Sequence, residues 1–176
     1  ARSKLIGHMQ EIHGTIDFYS FPYWAQYTGL DITALHRRFT ELIQFRPGAK
    51  AFLNWAKAKK KKTIIATNAH PESIQIKNEI SALSSHVNHI TSSHQYECPK
   101  ETPEFWERLQ IEHQFDKAKT IFIDDNAPVL DSSKNYGLAY NLIVAKPDSR
   151  KPLKPNLSYP SFDHYEEICP QLKANQ

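Results

Sequence analysis

Thr120-Ile121-Phe122-Ile123-Asp124-Asp125 is a short apolar run rich in β-formers that stops abruptly in two adjacent carboxylates. Such a run reads as a buried strand delivering charge to the edge of a sheet. In a doubly wound α/β sheet the carboxyl ends of the strands open onto the binding crevice, which puts Asp124 and Asp125 at its mouth. Two carboxylates there suit a hard cation such as Mg²⁺, held through oxygen ligands. Taken alone, the pair reads more readily as an acidic strand end feeding a solvated turn, and the rest of the chain has to decide.

Upstream, the chain alternates strand with helix. Thr63-Ile64-Ile65-Ala66-Thr67 is an apolar run closed by polar groups, and in the following Asn68-Ala69-His70-Pro71-Glu72 the proline takes the first position of a helix. A strand, a short polar loop and a helix N-terminus make an anion site, where the Thr67 hydroxyl, the Asn68 side chain and backbone N–H groups can donate to a phosphate. The same groups can instead satisfy the turn and the helix cap. His70 reads as a loop histidine or a substrate contact. After a weaker strand at His89-Ile90-Thr91-Ser92, the stretch Cys98-Pro99-Lys100-Glu101-Thr102-Pro103 sets Lys100 just before a helix capped by Thr102, with Phe105, Trp106 and Leu109 facing inward. An ammonium fixed at such a junction can meet a phosphate and balance nearby carboxylates, whereas a lone surface lysine is the bland reading. Beyond Asp125 a helix reaches Asn135 with Gly137 as its stop, and Leu138 to Val144 reads as one more strand.

The N-terminal stretch differs. Residues 1–45 hold no strand-like run but crowd Phe18, Tyr19, Phe21, Tyr23, Trp24 and Tyr27 together. Asp31 caps a helix through Ile32, Leu35, Phe39, Leu42 and Ile43, whose spacing makes one apolar face. This is a small helical subdomain with the aromatic cluster as its core, and one or two rings can also serve as a cap over a crevice. Arg46-Pro47-Gly48 breaks the pattern and marks the boundary. A helix through Ala51, Phe52, Trp55 and Ala56 follows, and the lysines at 57 and 59–62 read as its solvated end, complementing the helix dipole.

With 176 residues, 40% hydrophobic and 23% charged, the chain suits a globular domain with a small appendage. A net charge of +3 is too slight to imply a nucleic-acid partner. Cys98 and Cys169 are too few for a disulfide framework, and neither a signal peptide nor a membrane-spanning run is present, so a reducing cytoplasmic location is expected, with no membrane association and no obligate protein partner.

The order of these motifs is more specific than any one of them. A strand with Thr67, then Lys100 before a helix, then a strand with Asp124 and Asp125, then a helix closed by Gly137 resembles the haloacid dehalogenase superfamily of phosphatases and related hydrolases. The resemblance implies a Rossmann-like parallel α/β sheet as the core (46–176) and the remainder of an α-helical cap (1–45). It implies that Thr67, with Asn68, binds the phosphoryl group of a phosphate monoester, that Lys100 offsets its charge, and that Asp125 ligates Mg²⁺ with Asp124 in support. Thr67-Asn68-Ala69-His70-Pro71, Tyr96 to Lys100, Phe122 to Asp125 and Lys146-Pro147-Asp148-Ser149 resemble the bacterial GMP/IMP 5′-nucleotidase branch, which implies a purine nucleoside monophosphate as substrate.

One departure is serious. The family's first motif, a strand followed by Asp-x-Asp-Gly-Thr, carries the nucleophile and does not occur. His13-Gly14-Thr15-Ile16-Asp17 mimics part of it but lacks both the leading strand and the Asp-x-Asp. Val129 also stands where many relatives have a further polar residue. Because the chain opens on Ala1 in what reads as mid-helix, the expectation is that a segment upstream supplies a central strand between those ending at Thr67 and Asp125. The 176 residues alone are then expected to be poorly folded and inactive. The alternative is a catalytically inactive binding or interaction protein. A response-regulator receiver uses similar groups but in the opposite order along the chain.

Overall fold

The runs read as strands all form strands, and every pairing among them is parallel. The computed structural model describes residues 2–148, 151–155 and 157–169, so a helix opening at Ala1 and the Ser149 end of the Lys146 stretch lie outside the described residues. The described helices are α1 (Arg2–Glu11), α2 (Phe21–Thr28), α3 (Ile32–Arg37), α4 (Ala49–Ala58), α5 (Pro71–Ser81), α6 (Pro103–His113), α7 (Ala127–Tyr136) and α8 (Tyr165–Ile168). The strands are β1 (Ile64–Thr67), β2 (His89–Ser92), β3 (Ile121–Asp124), β4 (Tyr140–Val144) and β5 (Ser161–Phe162). By internal contacts they fall into two compact units, one of Ala1–Gln44 with Ile64–Pro99, the other of Phe45–Thr63 with Lys100–Gln176.

In the first unit α5 is the crossover between the parallel pair β1 and β2, whose register sets Thr67 opposite Ser92. Pro71 takes the first turn of α5 as its fixed φ favours, and His70 caps it, its Nδ1 accepting from the Glu72 N–H at 3.4 Å. β1 is half-buried throughout rather than fully buried, and among the described residues it has a strand partner on one side only. Asp31 caps α3 as the sequence suggests, accepting from the Ala34 N–H at 2.8 Å. The helix, however, ends at Arg37 instead of running on to Ile43, and Thr40–Leu42 forms a separate 3₁₀ turn. What α3 turns to α5 is polar: Thr33 bonds Glu72, Arg37 pairs with Glu79 at 2.7 Å, and the His36 ring lies 3.4 Å from the Ser73 hydroxyl. Leu35, Phe39 and Leu42 stay exposed, so the apolar stripe finds no packing to sustain a longer helix. The aromatic cluster is likewise a half-exposed stack. The His8 ring lies on Tyr27 at 4.3 Å and bonds the Tyr23 hydroxyl at 2.6 Å, while the Trp24 indole donates to the Phe18 carbonyl at 2.8 Å.

In the second unit β4 lies between β3 and β5, with Asp124 opposite Ile143 and Val144 opposite Phe162. Phe105, Trp106 and Leu109 of α6, Val129 and Leu130 of α7, Ile143 and Phe162 are all buried, and the Trp106 ring meets Phe122 edge-on at 4.7 Å. These rings and branched chains supply most of the apolar burial that holds the sheet to its helices. Gly137, at φ 104, ends α7 in a left-handed conformation that any other residue would strain to adopt. β4 starts at Tyr140 and not at Leu138, because Leu138 is drawn into the turn, its carbonyl accepting from the Asn141 amide at 2.8 Å. β5 and α8 had no sequence signal. Arg46 holds this C-terminal piece by donating to the Lys146 carbonyl and, at 3.1 Å, to the Asp163 carboxylate. No helix among the described residues is long and apolar enough to cross a membrane.

Three histidines of the first unit share one neighbourhood. The His70 ring stacks on Phe21 at 5.2 Å, His36 tilts against the same ring at 5.4 Å, and His94 meets His70 edge-on at 5.0 Å. Desolvation lowers the pKa of all three; the Lys77 charge lowers His36 further and His70 lowers His94, while Glu72 pulls His70 up and Tyr19, Asn68 and Asp17 pull His94 up. Folding therefore favours the neutral rings. Between the folded values and the unfolded value of about 6.5 the unfolded chain binds more protons, so this contribution to stability is full above about pH 6.5 and is lost as the pH falls below it. An NMR titration of the imidazole resonances should find His36, His70 and His94 titrating below about 6.5, and midpoints at or above that value would contradict the packing described.

Candidate functional site

The second unit concentrates charge at the carboxyl end of β3. Lys100 and Asp124 meet there with Nζ and Oδ2 2.5 Å apart, each side chain only 10% exposed. The main chain at Lys100 is held by Trp106, whose indole N–H lies 2.9 Å from the Lys100 carbonyl and 3.0 Å from the Ser132 hydroxyl of α7. The loop before α6 is thus pinned by a buried ring three residues into the helix, and the ammonium is aimed by backbone rather than by a free stem. The other oxygen of Asp124 accepts from the Asn126 N–H at 2.9 Å, a local bond that turns the chain from β3 into α7. Both carboxylate oxygens of Asp124 are therefore engaged.

Asp125 faces outward, its side chain 55% exposed, and among the described residues it pairs with Lys154. The Lys154 ammonium donates to the Asp125 backbone carbonyl at 2.5 Å and lies 3.7 Å from its carboxylate. Val129 is buried in the first turns of α7 and offers no donor. Among the described residues no group of three or more His, Cys, Asp or Glu side chains converges as a metal cage. Chemically, the cluster offers one outward carboxylate for a cation and a rigid, nearly dry ammonium for an anion, a preorganised charge that water cannot screen fully.

Thr67 and Asn68 belong to the first unit. The Thr67 hydroxyl oxygen accepts from the Ala69 N–H at 3.1 Å, a role that keeps its proton available to another acceptor. Asn68 is buried, and Ser92 at the end of β2 fixes the loop by donating to the Ala69 carbonyl at 2.7 Å. The loop after β1 and the start of α5 are therefore held by hydrogen bonds from Ala69, Ser92 and Glu72. Lys154, Ser92 and the contact between Trp106 and Ser132 escaped sequence reading. Lys154 sits in a proline-flanked polar stretch with no periodicity, although Trp106 was visible as an inward residue of α6.

A sequence profile described as haloacid dehalogenase-like hydrolase matches residues 11–137. The chain belongs to the haloacid dehalogenase-like hydrolase family. It is 32% identical over 162 residues to the GMP/IMP nucleotidase YrfG of Escherichia coli (strain K12), covering 92% of this chain and 73% of the relative, and matches the Shigella flexneri protein of that name equally. Among solved structures, a HAD phosphatase from Thermococcus onnurineus superposes with a TM-score of 0.79 at 14% identity, over 97% of this chain and 79% of that one. A putative β-phosphoglucomutase from Thermotoga maritima gives 0.66 at 19% identity over 80% and 65%, and L-2-haloacid dehalogenase from Xanthobacter autotrophicus 0.56 at 16% over 74% and 61%. The chain thus spans less than two thirds of the last two proteins. These likenesses establish the haloacid dehalogenase-like α/β fold, and the chain is a hydrolase of that family.

Because the pair in this hydrolase is nearly dry, removing one partner leaves the other charged and desolvated. Asp124→Ala should lower the free energy of unfolding by about 3 kcal/mol, and the apolar double substitution Lys100→Met/Asp124→Leu should recover most of it. Urea unfolding checks this, and an Asp124→Ala variant as stable as the parent would show that the pair is not desolvated.

Proposed function

We propose that this hydrolase is a Mg²⁺-dependent phosphatase of purine nucleoside 5′-monophosphates, acting in the cytoplasm through an aspartyl-phosphate. The observation that supports it most is the buried Lys100 ammonium held 2.5 Å from Asp124, beside the outward Asp125, in a chain 32% identical to a GMP/IMP nucleotidase. In this reading Lys100 offsets charge on the phosphoryl oxygens and Asp124 keeps that ammonium aimed. Thr67 donates its remaining hydroxyl proton to one phosphoryl oxygen, and Asn68 lines the same loop. Residues 1–45 are the remainder of the cap, and 46–176 form the core.

The donor set fits Mg²⁺ in part. Mg²⁺ keeps several waters and takes one or two protein carboxylates together with substrate phosphate, and Asp125 is an exposed carboxylate of that kind, with Asp124 behind it. Once bound, the ion would supply Lewis-acid neutralisation of the phosphoryl charge. The attacking carboxylate is assigned to a strand outside the 176 residues. The edges of β1 and of β3, each without a partner among the described residues, are open to such a strand. Cys98 and Cys169 form no disulfide, in keeping with a reducing compartment.

Phosphate release by the full-length protein tests the reading. Activity should vanish with EDTA and in Asp125→Asn, and Lys100→Ala should fall by about 10²–10³ in kcat, the usual cost of one preorganised donor. GMP and IMP should exceed sugar phosphates in kcat/KM. Turnover indifferent to EDTA would overturn the metal assignment, and a tenfold preference for small sugar phosphates would overturn the substrate. A full-length protein with no hydrolytic activity on any phosphate monoester would favour a binding protein instead.

A further inference from the structure

We infer that Lys154 is an internal counter-cation that competes with the divalent metal ion for Asp125 and so sets how tightly the hydrolase holds that ion. The inference rests on the reading of Asp125 as the metal ligand. Its ground is the division of charge at the end of β3. Asp124 has both oxygens engaged, one by Lys100 and one by the Asn126 N–H, whereas Asp125 has Lys154 at 3.7 Å from its carboxylate. Among the described residues, two carboxylates against two ammonium groups sum to zero, so this cluster is neutral before any metal arrives. A cation binding at Asp125 meets Lys154 as a like charge and must displace it.

Lys154 is also placed by its own backbone. Its own N–H donates to the Ala145 carbonyl at 2.9 Å, just past the end of β4, and Pro155 restricts its backbone to extended conformations. Farther along, the Tyr159 hydroxyl donates to Asp131 of α7 at 2.5 Å and is pushed up to about 12 by burial and that carboxylate. The Lys154 backbone is tied to the residue just past β4, which returns the ammonium to the same place. The bond from Nζ to the Asp125 carbonyl keeps it there at 2.5 Å without using the carboxylate. Yet the Lys154 side chain is 40% exposed, four times the value at Lys100. Its stem can swing into solvent, as the locked stem of Lys100 cannot. Lys100 therefore stays as a fixed charge of the site, and Lys154 acts as a removable placeholder that keeps the exposed carboxylate compensated when no metal is present.

Isothermal titration of the full-length protein with MgCl₂ at fixed ionic strength, in the absence of substrate, tests this. Lys154→Met and Lys154→Gln should each bind Mg²⁺ about three- to tenfold more tightly, because a half-exposed ion pair and a like charge are both removed. Lys154→Arg, which keeps the charge, should remain within about twofold of the parent. The thermal midpoint without Mg²⁺ reports whether each variant is folded, and its rise on adding Mg²⁺ should be larger in the Met and Gln variants. Unchanged or weaker Mg²⁺ affinity in both neutral variants, with binding abolished in Asp125→Asn, would overturn the role of Lys154 while leaving Asp125 as the ligand. Equal Mg²⁺ binding by the parent and Asp125→Asn would overturn both.

Discussion

The second unit depends on one nearly dry ion pair. Taking Lys100 and Asp124 out of water is costly, and the cost is offset only when the geometry is tight and the remaining hydrogen-bonding capacity is used. Both conditions hold: the charged atoms lie 2.5 Å apart and the second Asp124 oxygen takes a backbone N–H. The pair ties the loop before α6 to the end of β3. The Trp106 indole, reaching both the Lys100 carbonyl and Ser132, brings α7 into the same junction. Two helices and a strand therefore converge on charges that an apolar core would normally exclude. The exposed side of the cluster presents an outward carboxylate next to a fixed ammonium.

Strand edges impose the other constraint. β1 and β3 each pair in parallel on one side and show no strand partner on the other among the described residues. Parallel strands are ordinarily enclosed on both faces and flanked within the sheet, and a bare edge leaves a row of N–H and C=O groups open to any chain that can pair with them. The half-burial of β1 and the exposure of Ile121 at the start of β3 are the local expression of that openness. In the proposed function these are the edges that a nucleophile-bearing strand would cover.

Much of this was legible in the residues. The apolar run closed by Asp124 and Asp125, the proline at the start of α5 and the Gly137 stop each act through local sterics or short-range polarity, and each appears where the sequence put it. Lys100 could be located by Pro99 and Pro103, but its partner could not, since nothing in the spacing says which of two adjacent aspartates points inward. Failures came where tertiary packing decides. The stripe of Leu35, Phe39 and Leu42 has helical spacing but no covering partner, so α3 stops short. The rings near Trp24 have the composition of a core yet remain half-exposed, because histidine and tyrosine polar atoms keep the stack at the surface. β5 is too brief to show periodicity and exists only through pairing with β4. Lys154 reaches Asp125 across a long sequence separation that no local pattern encodes.

In the proposed function these charges serve phosphoryl transfer to an aspartate. Rapid acid quench of the full-length protein during turnover of ³²P-labelled GMP tests it most directly. A transient covalent label should appear on the protein, stable to acid and released by hydroxylamine, as an acyl phosphate is. Hydrolysis of GMP with no protein-bound phosphate at any quench time, under conditions where a pre-steady-state burst of guanosine is observed, would contradict it.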